Sequence, residues 1–355
     1  MGLDLRDAQR RHGNAHPPLT ARSDVANTGP VLITRDDVLA AADRIAGRVR
    51  RTPLLAPAGA DGPWLKCEHL QHCGVFKTRG AFNRQLAARE RGELGDGGIV
   101  VASGGNAGLA QAHAARSLGI RATVFVPETA PAVKVARIEA YGAQVRRAGR
   151  EYAEAHQAAV AFAEAEGATF AHAYDQPDVV AGAGTLAEEL LADEPSIDTI
   201  VVAVGGGGLY AGVAAAARER ARVVAVEPVL IPTLRSAIDA GAPVDVEVSG
   251  VAADSLGARR IGDLALAAVG AEPPVSVLVP DDDIVRARHA LWRDYRIAAE
   301  HGAATAYAAL LSGAYVPAAD ERVAVVVCGA NTDPATLDQA DQADQAAQAA
   351  RAARA

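Results

Sequence analysis

Three strand-like runs in this 355-residue sequence end in residues too small or too polar to serve packing alone. Ile99-Val100-Val101-Ala102 leads into Ser103-Gly104-Gly105-Asn106, Ile200–Val204 into Gly205-Gly206-Gly207-Gly208, and Val323–Val327 into Cys328-Gly329-Ala330-Asn331. Ligands of open parallel sheets sit beyond the carboxyl ends of the strands, so the three ends mark a candidate site. The glycine run makes the strongest physical case. Without Cβ atoms, successive backbone N–H groups can turn into one concavity, and the positive end of the following helix adds to it. That is a phosphate cradle; a bare strand–helix turn has no need of four glycines. Gly206, Gly208 and Gly212, with Glu227 at the end of the next strand, also imitate a dinucleotide fingerprint in which the acid holds a ribose. Leu209-Tyr210-Ala211 occupy the usual third glycine position, so that match is irregular, and the loop alone leaves the phosphate ligand open.

A second segment decides between them. The stretch Lys66–Ala81, with Val75-Phe76-Lys77-Thr78-Arg79-Gly80 at its heart, resembles the lysine segment of the pyridoxal-phosphate enzymes of fold type II, and within them the serine/threonine dehydratases. The likeness continues in order through Ser103-Gly104-Gly105-Asn106-Ala107-Gly108, Val126-Pro127, Thr129-Ala130-Pro131-Ala132, the tetraglycine with Leu209, and Val226-Glu227-Pro228. Ser255-Leu256-Gly257, Glu300-His301-Gly302-Ala303-Ala304 and Val327–Asn331 complete it, so it spans about residues 31–335.

The resemblance implies pyridoxal 5'-phosphate as cofactor, held by Lys77 as an internal Schiff base, with the freed amine then acting as base on an amino-acid substrate. It further implies that Phe76 covers one face of the ring, that Asn106 hydrogen-bonds the ring hydroxyl, and that Gly205, Gly206, Gly207 and Gly208 cradle the phosphate. Cys328 stands where a serine or cysteine faces the pyridine nitrogen; so weak a donor leaves that nitrogen largely unprotonated, which favours β-elimination. The loop Ser103, Gly104, Gly105 and Asn106 resembles the grip on the substrate carboxylate. The implied reaction is dehydration and deamination of a β-hydroxy amino acid such as L-serine or L-threonine to a 2-oxo acid and ammonia. The alternatives are β-replacement, as in cysteine or diaminopropionate synthesis, an NAD-dependent oxidoreductase built on Gly206, Gly208 and Glu227, and a non-catalytic relative.

The sequence also departs from the family. Val75 replaces a serine beside the lysine, and Gly104 replaces the serine that related racemases use as an opposite-face acid, which argues against racemisation. Glu227 resembles a cation ligand of related enzymes, but Ile231 and Thr233 replace its partners, so no metal is assigned. The chain ends soon after Asn331, and the expectation is that it carries no appended regulatory domain.

Composition agrees with a small-molecule enzyme. Half the residues are hydrophobic but only 4% aromatic, so the core must be aliphatic, and the apolar content excludes disorder of the whole chain. A net charge of −8 from 35 basic and 43 acidic residues disfavours a nucleic-acid partner. Three cysteines, Cys67, Cys73 and Cys328, lack framework spacing and point to a reducing compartment. Cys67 and Cys73 lie near His69 and His72, but no second ligand pair follows to make a zinc site. The first twelve residues have no apolar run, so no signal peptide is expected. The uncharged stretch Thr199–Ala217 is long enough for a membrane span but is broken by its glycines. The expectation is a cytoplasmic protein, without a membrane partner, that the resemblance implies is a homodimer.

Between its ends the sequence alternates β-branched runs with alanine-rich helical stretches: strands at 99–102, 122–126, 143–146, 200–204, 223–226 and 323–327, with helices between them. This predicts an α/β fold of two open, twisted, parallel-type sheets flanked by helices, with a small domain inserted in a large one. The expected division is a mobile leader over 1–30, a large cofactor-binding domain over 31–96 and 176–335, a small domain over 97–175, and a low-complexity tail over 336–355.

Overall fold

The structure is a computed structural model that describes residues 32–337, except 58, 60, 61 and 271–273; the expected leader, and the tail beyond 337, lie outside these residues. Among the described residues, ten strands form two sheets. The first contains β1 (Leu54–Leu55), β2 (Trp64–Lys66), β7 (Thr199–Ala203), β8 (Arg222–Pro228), β9 (Val275–Val279) and β10 (Val323–Val326), in the order β1-β2-β10-β7-β8-β9. The second holds β3 (Ile99–Ala102), β4 (Ala122–Val126), β5 (Gln144–Arg147) and β6 (Thr169–Phe170), in the order β5-β4-β3-β6. All pairings are parallel except β1 with β2, an antiparallel edge that the strand–helix alternation does not reveal. The strands of the second sheet are contiguous in the chain and lie between β2 and β7.

The helices are α1 (Arg35–Ile45), α2 (Lys77–Glu90), α3 (Asn106–Leu118), α4 (Ala132–Glu139), α5 (Tyr152–Glu166), α6 (Pro177–Asp193), α7 (Gly208–Ala217), α8 (Thr233–Ala240), α9 (Ala253–Leu256), α10 (Asp263–Val269), α11 (Asp281–Tyr295) and α12 (His301–Leu311). Their ends follow local chemistry. Thr34 Oγ1 accepts from Asp37 N at 3.2 Å to open α1, and Gly119 and Gly167, both at positive φ, close α3 and α5. The central strands β3, β4 and β7 are buried throughout, as covered parallel strands must be.

The large core consists chiefly of alanine, valine, leucine and isoleucine. Small side chains let helices approach closely. A Cβ at Gly182 would stand 2.7 Å from Gly80 Cα, and one at Gly184 would stand 2.5 Å from Gly212 O. So α6 packs backbone to backbone on both α2 and α7.

Beneath α2 lies a buried ion cluster. Arg79 donates through Nε and Nη2 to both Glu68 oxygens (2.8 and 2.8 Å) and through Nη1 and Nη2 to both Glu189 oxygens (2.7 and 2.8 Å). Lys66 Nζ joins Glu189 Oε2 at 3.0 Å and Thr52 O at 2.9 Å. Arg79, Lys66 and Glu68 are wholly buried. Arg79→Met removes one member and strands its partners, so unfolding in urea should show a loss of about 3–5 kcal/mol; a loss under 1 kcal/mol would mean the cluster contributes little.

Candidate active site

The amine of Lys77 reaches its place through two strand-end contacts. Phe76 N donates to Cys328 O at 3.0 Å, Ala330 N to Gly74 O at 2.9 Å, and Val75 bridges Gly329. This zips the 74–76 segment onto the end of β10, with Val75 fully buried as packing where the family has serine. Lys77 Nζ donates to Ala173 O at 3.4 Å. Burial pushes the ammonium below its ordinary pKa, while Glu300 and Cys328 act in the opposite direction. The shift raises the share of neutral amine, the form that attacks a carbonyl.

The facing wall is the end of β7. A Cβ at Gly206 would enter the Tyr174 ring at 2.4 Å, one at Gly208 would meet Tyr174 O at 2.4 Å, and one at Gly207 would meet Ala265 Cβ at 2.4 Å. Gly207 also has φ +86°, the left-handed region. The loop is therefore glycine for steric reasons, and α7 starts from it with no side-chain cap. Its first N–H groups therefore have no side-chain acceptor, an arrangement that suits an anion. Neighbouring residues hold this shape: Thr233 Oγ1 donates to Gly205 O at 2.5 Å, Gly262 N donates to Gly206 O at 3.0 Å, and Asp175 accepts from Asp263 N and Leu264 N, both at 3.0 Å.

A second helix also starts uncapped. α3 follows Gly105 with no side-chain cap, although Ser103 Oγ accepts from Gly105 N at 3.3 Å. Asn106 Nδ2 donates to Glu300 Oε1 at 2.7 Å, and Asn106 Oδ1 accepts from Asn331 Nδ2 at 2.5 Å. A cavity lined by Phe76, Lys77, Asn106, Gly205–Gly208 and Cys328 thus gathers every residue expected at the cofactor. It adjoins a larger one of about 540 Å³ that shares Lys77, Asn106 and Gly206 and adds Ser103, Gly104 and Gly105, the residues expected at the substrate. Burial raises the pKa of the Cys328 thiol far above its ordinary value, so the thiol keeps its proton.

Sequence reasoning gave no role to Glu300, Tyr174, Asp254 or Ser255, all of which line these cavities. Burial and Asp254 push the Glu300 carboxyl up to about 7, against Asn106, Lys77 and Asn331. The signal for Glu300 was a charged residue opening an otherwise apolar helix; Tyr174 had none. Glu227, read as an imitation ribose or cation ligand, caps α8 instead. Its Oε1 accepts from Leu234 N at 2.6 Å and its Oε2 from Arg235 N at 2.9 Å, with Thr233 Oγ1 3.0 Å from Oε1. Both oxygens are engaged at a fully buried position, which removes the ribose contact on which the dinucleotide reading depends. Among the described residues, His, Cys, Asp and Glu form no cluster of three or more suited to a metal, and no helix is long and apolar enough to cross a membrane. The uncharged stretch 199–217 is β7, the glycine loop and α7.

Two largely parallel sheets with a half-buried amine between two uncapped helix starts define an enzyme of the fold-type-II class. The chain belongs to the pyridoxal-phosphate dependent enzymes, whose family pattern it matches over residues 45–329, and within them to the serine/threonine dehydratase group. It is 36% identical to the L-threonine ammonia-lyase of Geobacter sulfurreducens over 303 residues, 83% of this chain and 75% of the relative. It is 33% identical over 318 residues to the L-threonine ammonia-lyase of Thermotoga maritima, 87% of this chain and 78% of that one. The structure of maize serine racemase superposes with a TM-score of 0.81 at 30% identity, covering 90% of this chain and 99% of that one. The residues in place fit this cofactor: an amine of lowered pKa suits an aldehyde, a glycine cradle that any Cβ would fill suits a phosphate, and a protonated thiol suits a pyridine nitrogen.

The loop under Tyr174 is locked by His172, whose Nδ1 accepts from Tyr174 N at 3.3 Å and Asp175 N at 2.8 Å. Burial lowers the His172 pKa to about 4, whereas an unfolded chain protonates histidine near pH 6.5. Between those values the unfolded state binds more protons, so stability falls as pH falls through the window. His172→Gln should therefore be less stable than the parent at neutral pH, with the gap narrowing towards about pH 5. Urea midpoints across that range check this, and a gap that widens in acid contradicts it.

Proposed function

We propose that this chain is a pyridoxal-phosphate dependent ammonia-lyase that converts a small β-hydroxy amino acid, L-threonine or L-serine, to a 2-oxo acid and ammonia. The observation that carries the reading is the pairing, around one lysine amine, of two uncapped helix N-termini. One ends a tetraglycine loop and takes the cofactor's phosphate; the other follows Ser103-Gly104-Gly105 and takes the substrate's carboxylate. When bound, the cofactor supplies a conjugated ring that accepts the electrons left by the departing α-proton.

In this reading the chain's own residues do the rest. Lys77 anchors the cofactor and then, as a free amine, takes the α-proton. The Ser103 hydroxyl and the backbone N–H groups that open α3 fix the carboxylate, which aims the α-carbon at that amine. Phe76 would cover one ring face, Asn106 would donate to the ring oxygen, and the Cys328 thiol would face the ring nitrogen as a neutral group, which would limit charge build-up and favour loss of the β-hydroxyl as water. The two sheets divide the work as domains, 31–96 with 176–335 holding most of the cofactor and 97–175 gripping the carboxylate and lending Asn106 to the ring. The free state of Cys67, Cys73 and Cys328 supports a cytoplasmic location, and family resemblance supports a homodimer.

Release of oxo acid and ammonia from L-threonine with no added nucleophile tests the reading, and a requirement for a second nucleophile would turn it into β-replacement. Lys77→Ala should lose all turnover while keeping its fold by circular dichroism; full activity in that variant would refute the scheme. A Cβ at Gly104 would approach nothing closer than Val126 Cγ1 at 3.5 Å, so the cavity accepts a side chain there. Gly104→Ser should fold normally and gain measurable interconversion of L- and D-serine, which the parent should lack.

A further inference from the structure

Glu300 has no part in the chemistry assigned above, yet its carboxyl group is buried beside Lys77 and Cys328, at 4% exposure. Its backbone N–H donates to Gly329 O at 3.2 Å, and a Cβ at Gly329 would stand 2.3 Å from Glu300 Oε1. The space that glycine leaves is the space the carboxylate fills. From there a chain of hydrogen bonds leads outward. Glu300 Oε1 accepts from Asn106 Nδ2 at 2.7 Å, Asn106 Oδ1 accepts from Asn331 Nδ2 at 2.5 Å, and Asn331 Oδ1 accepts from Arg137 Nη2 at 2.5 Å. It begins on an exposed guanidinium of α4, beside the four-stranded sheet, and ends on a carboxylate at the start of α12, against the six-stranded one.

An amide does not orient itself, because half a turn exchanges its donor for its acceptor. Here the two ends decide. A guanidinium only donates, so Asn331 must show it an oxygen and pass an N–H to Asn106; an ionised carboxylate only accepts, so Asn106 must show it an N–H. A reversed Asn106 would set oxygen against carboxylate and N–H against N–H. In the fixed sense, one Nδ2 proton goes to Glu300 and the second is left for the cavity that Asn106 shares with Lys77.

We propose that Glu300, acting with Arg137 through Asn331, is the positioning residue that presents the Asn106 amide to the cofactor's ring oxygen as a donor. The inference rests on the proposed function and adds a pH dependence to it. The titratable and charged groups around Glu300 are Lys77 on α2, Cys328 at the end of β10, Asp254 on α9, and Lys134 and Arg137 of α4, which line a cavity with it, with Asn106 and Asn331 as its neutral partners. Burial and Asp254 place its pKa at about 7. Below that pH the carboxyl gains a proton of its own to donate, and the sense of the Asn106 amide is held from the Arg137 end alone.

The test uses holoenzyme reconstituted with pyridoxal phosphate, read by the cofactor Kd and by the visible absorption band as a function of pH, with urea midpoints to monitor folding. The parent should show a step in both readouts near pH 7. Glu300→Gln should weaken cofactor binding by about tenfold, the worth of one misdirected hydrogen bond, and erase the step. Gly329→Ala, which displaces the carboxylate, should do the same. Arg137→Gln, at an exposed position that leaves the core intact, should weaken binding by about threefold and keep the step, with Arg137→Lys restoring much of the loss. Glu300→Gln and Gly329→Ala enzymes with the parent's Kd and an unchanged step would overturn the inference, and Arg137→Gln with the parent's Kd would remove Arg137 from it. A parent that binds cofactor while its variants behave like it leaves the proposed function standing; a parent that takes up no cofactor defeats both.

Discussion

The close contact of α6 with its two neighbours sets the distance on which the site depends. Gly80 against Gly182, and Gly184 against Gly212, bring three helices together with no side chain between their backbones. The first residues of α2 and α7 are Lys77 and Gly208, and Tyr174, just before α6, lies against Gly206. An amine, an aromatic wall and an anion cradle are therefore positioned by one packing arrangement rather than by loops. A larger residue at any of these glycines would push amine and cradle apart before it reached either. The aliphatic core serves the same end: small, unbranched or β-branched side chains allow helices to sit this near the sheet and one another.

Much of this was legible in the sequence because it is local. The strands at 99–102 and 122–126 appear with the expected bounds, and others shift by a residue or two where pairing with a neighbouring strand rather than a hydrophobic run sets the end. The three unusual strand ends do meet, since all lie at carboxyl ends of parallel strands. The glycine loop was readable as a cradle because lack of Cβ atoms is a property of the residues themselves. The antiparallel β1 was not readable: a two-residue strand has no periodicity, and its direction is set by pairing with β2. Nor was the order β2-β10-β7, which brings residues more than two hundred positions apart into one sheet.

The misses share one cause. Glu300, Asp254 and Ser255 reach the cavities from segments that lie far from Lys77 in the chain, and each reads in isolation as a helix-start residue. Tyr174 precedes a helix like any loop aromatic, and only the missing Cβ of Gly206 shows what its ring rests upon. Glu227 erred in the other direction. Its spacing from the glycine loop suited a ligand, but the start of α8 folds back to claim both oxygens, and no spacing rule foresees which buried carboxylate a helix will take as its cap.

The ion cluster under α2 has a consequence for the amine above it. Lys66 and Arg79 bring two positive charges, Glu68 and Glu189 two negative ones, and Arg79 stands only two residues from Lys77. Four charges so matched cast little net field at a distance, so the cluster can sit under the helix that opens with Lys77 without fixing the charge of its amine. The amine is perturbed by its own desolvation, Glu300 and Cys328, while Glu68 of the cluster still helps to raise the Cys328 thiol. The nitrogen is thus tuned first by the groups it faces, and the cluster reaches it only at second hand, through the thiol of Cys328.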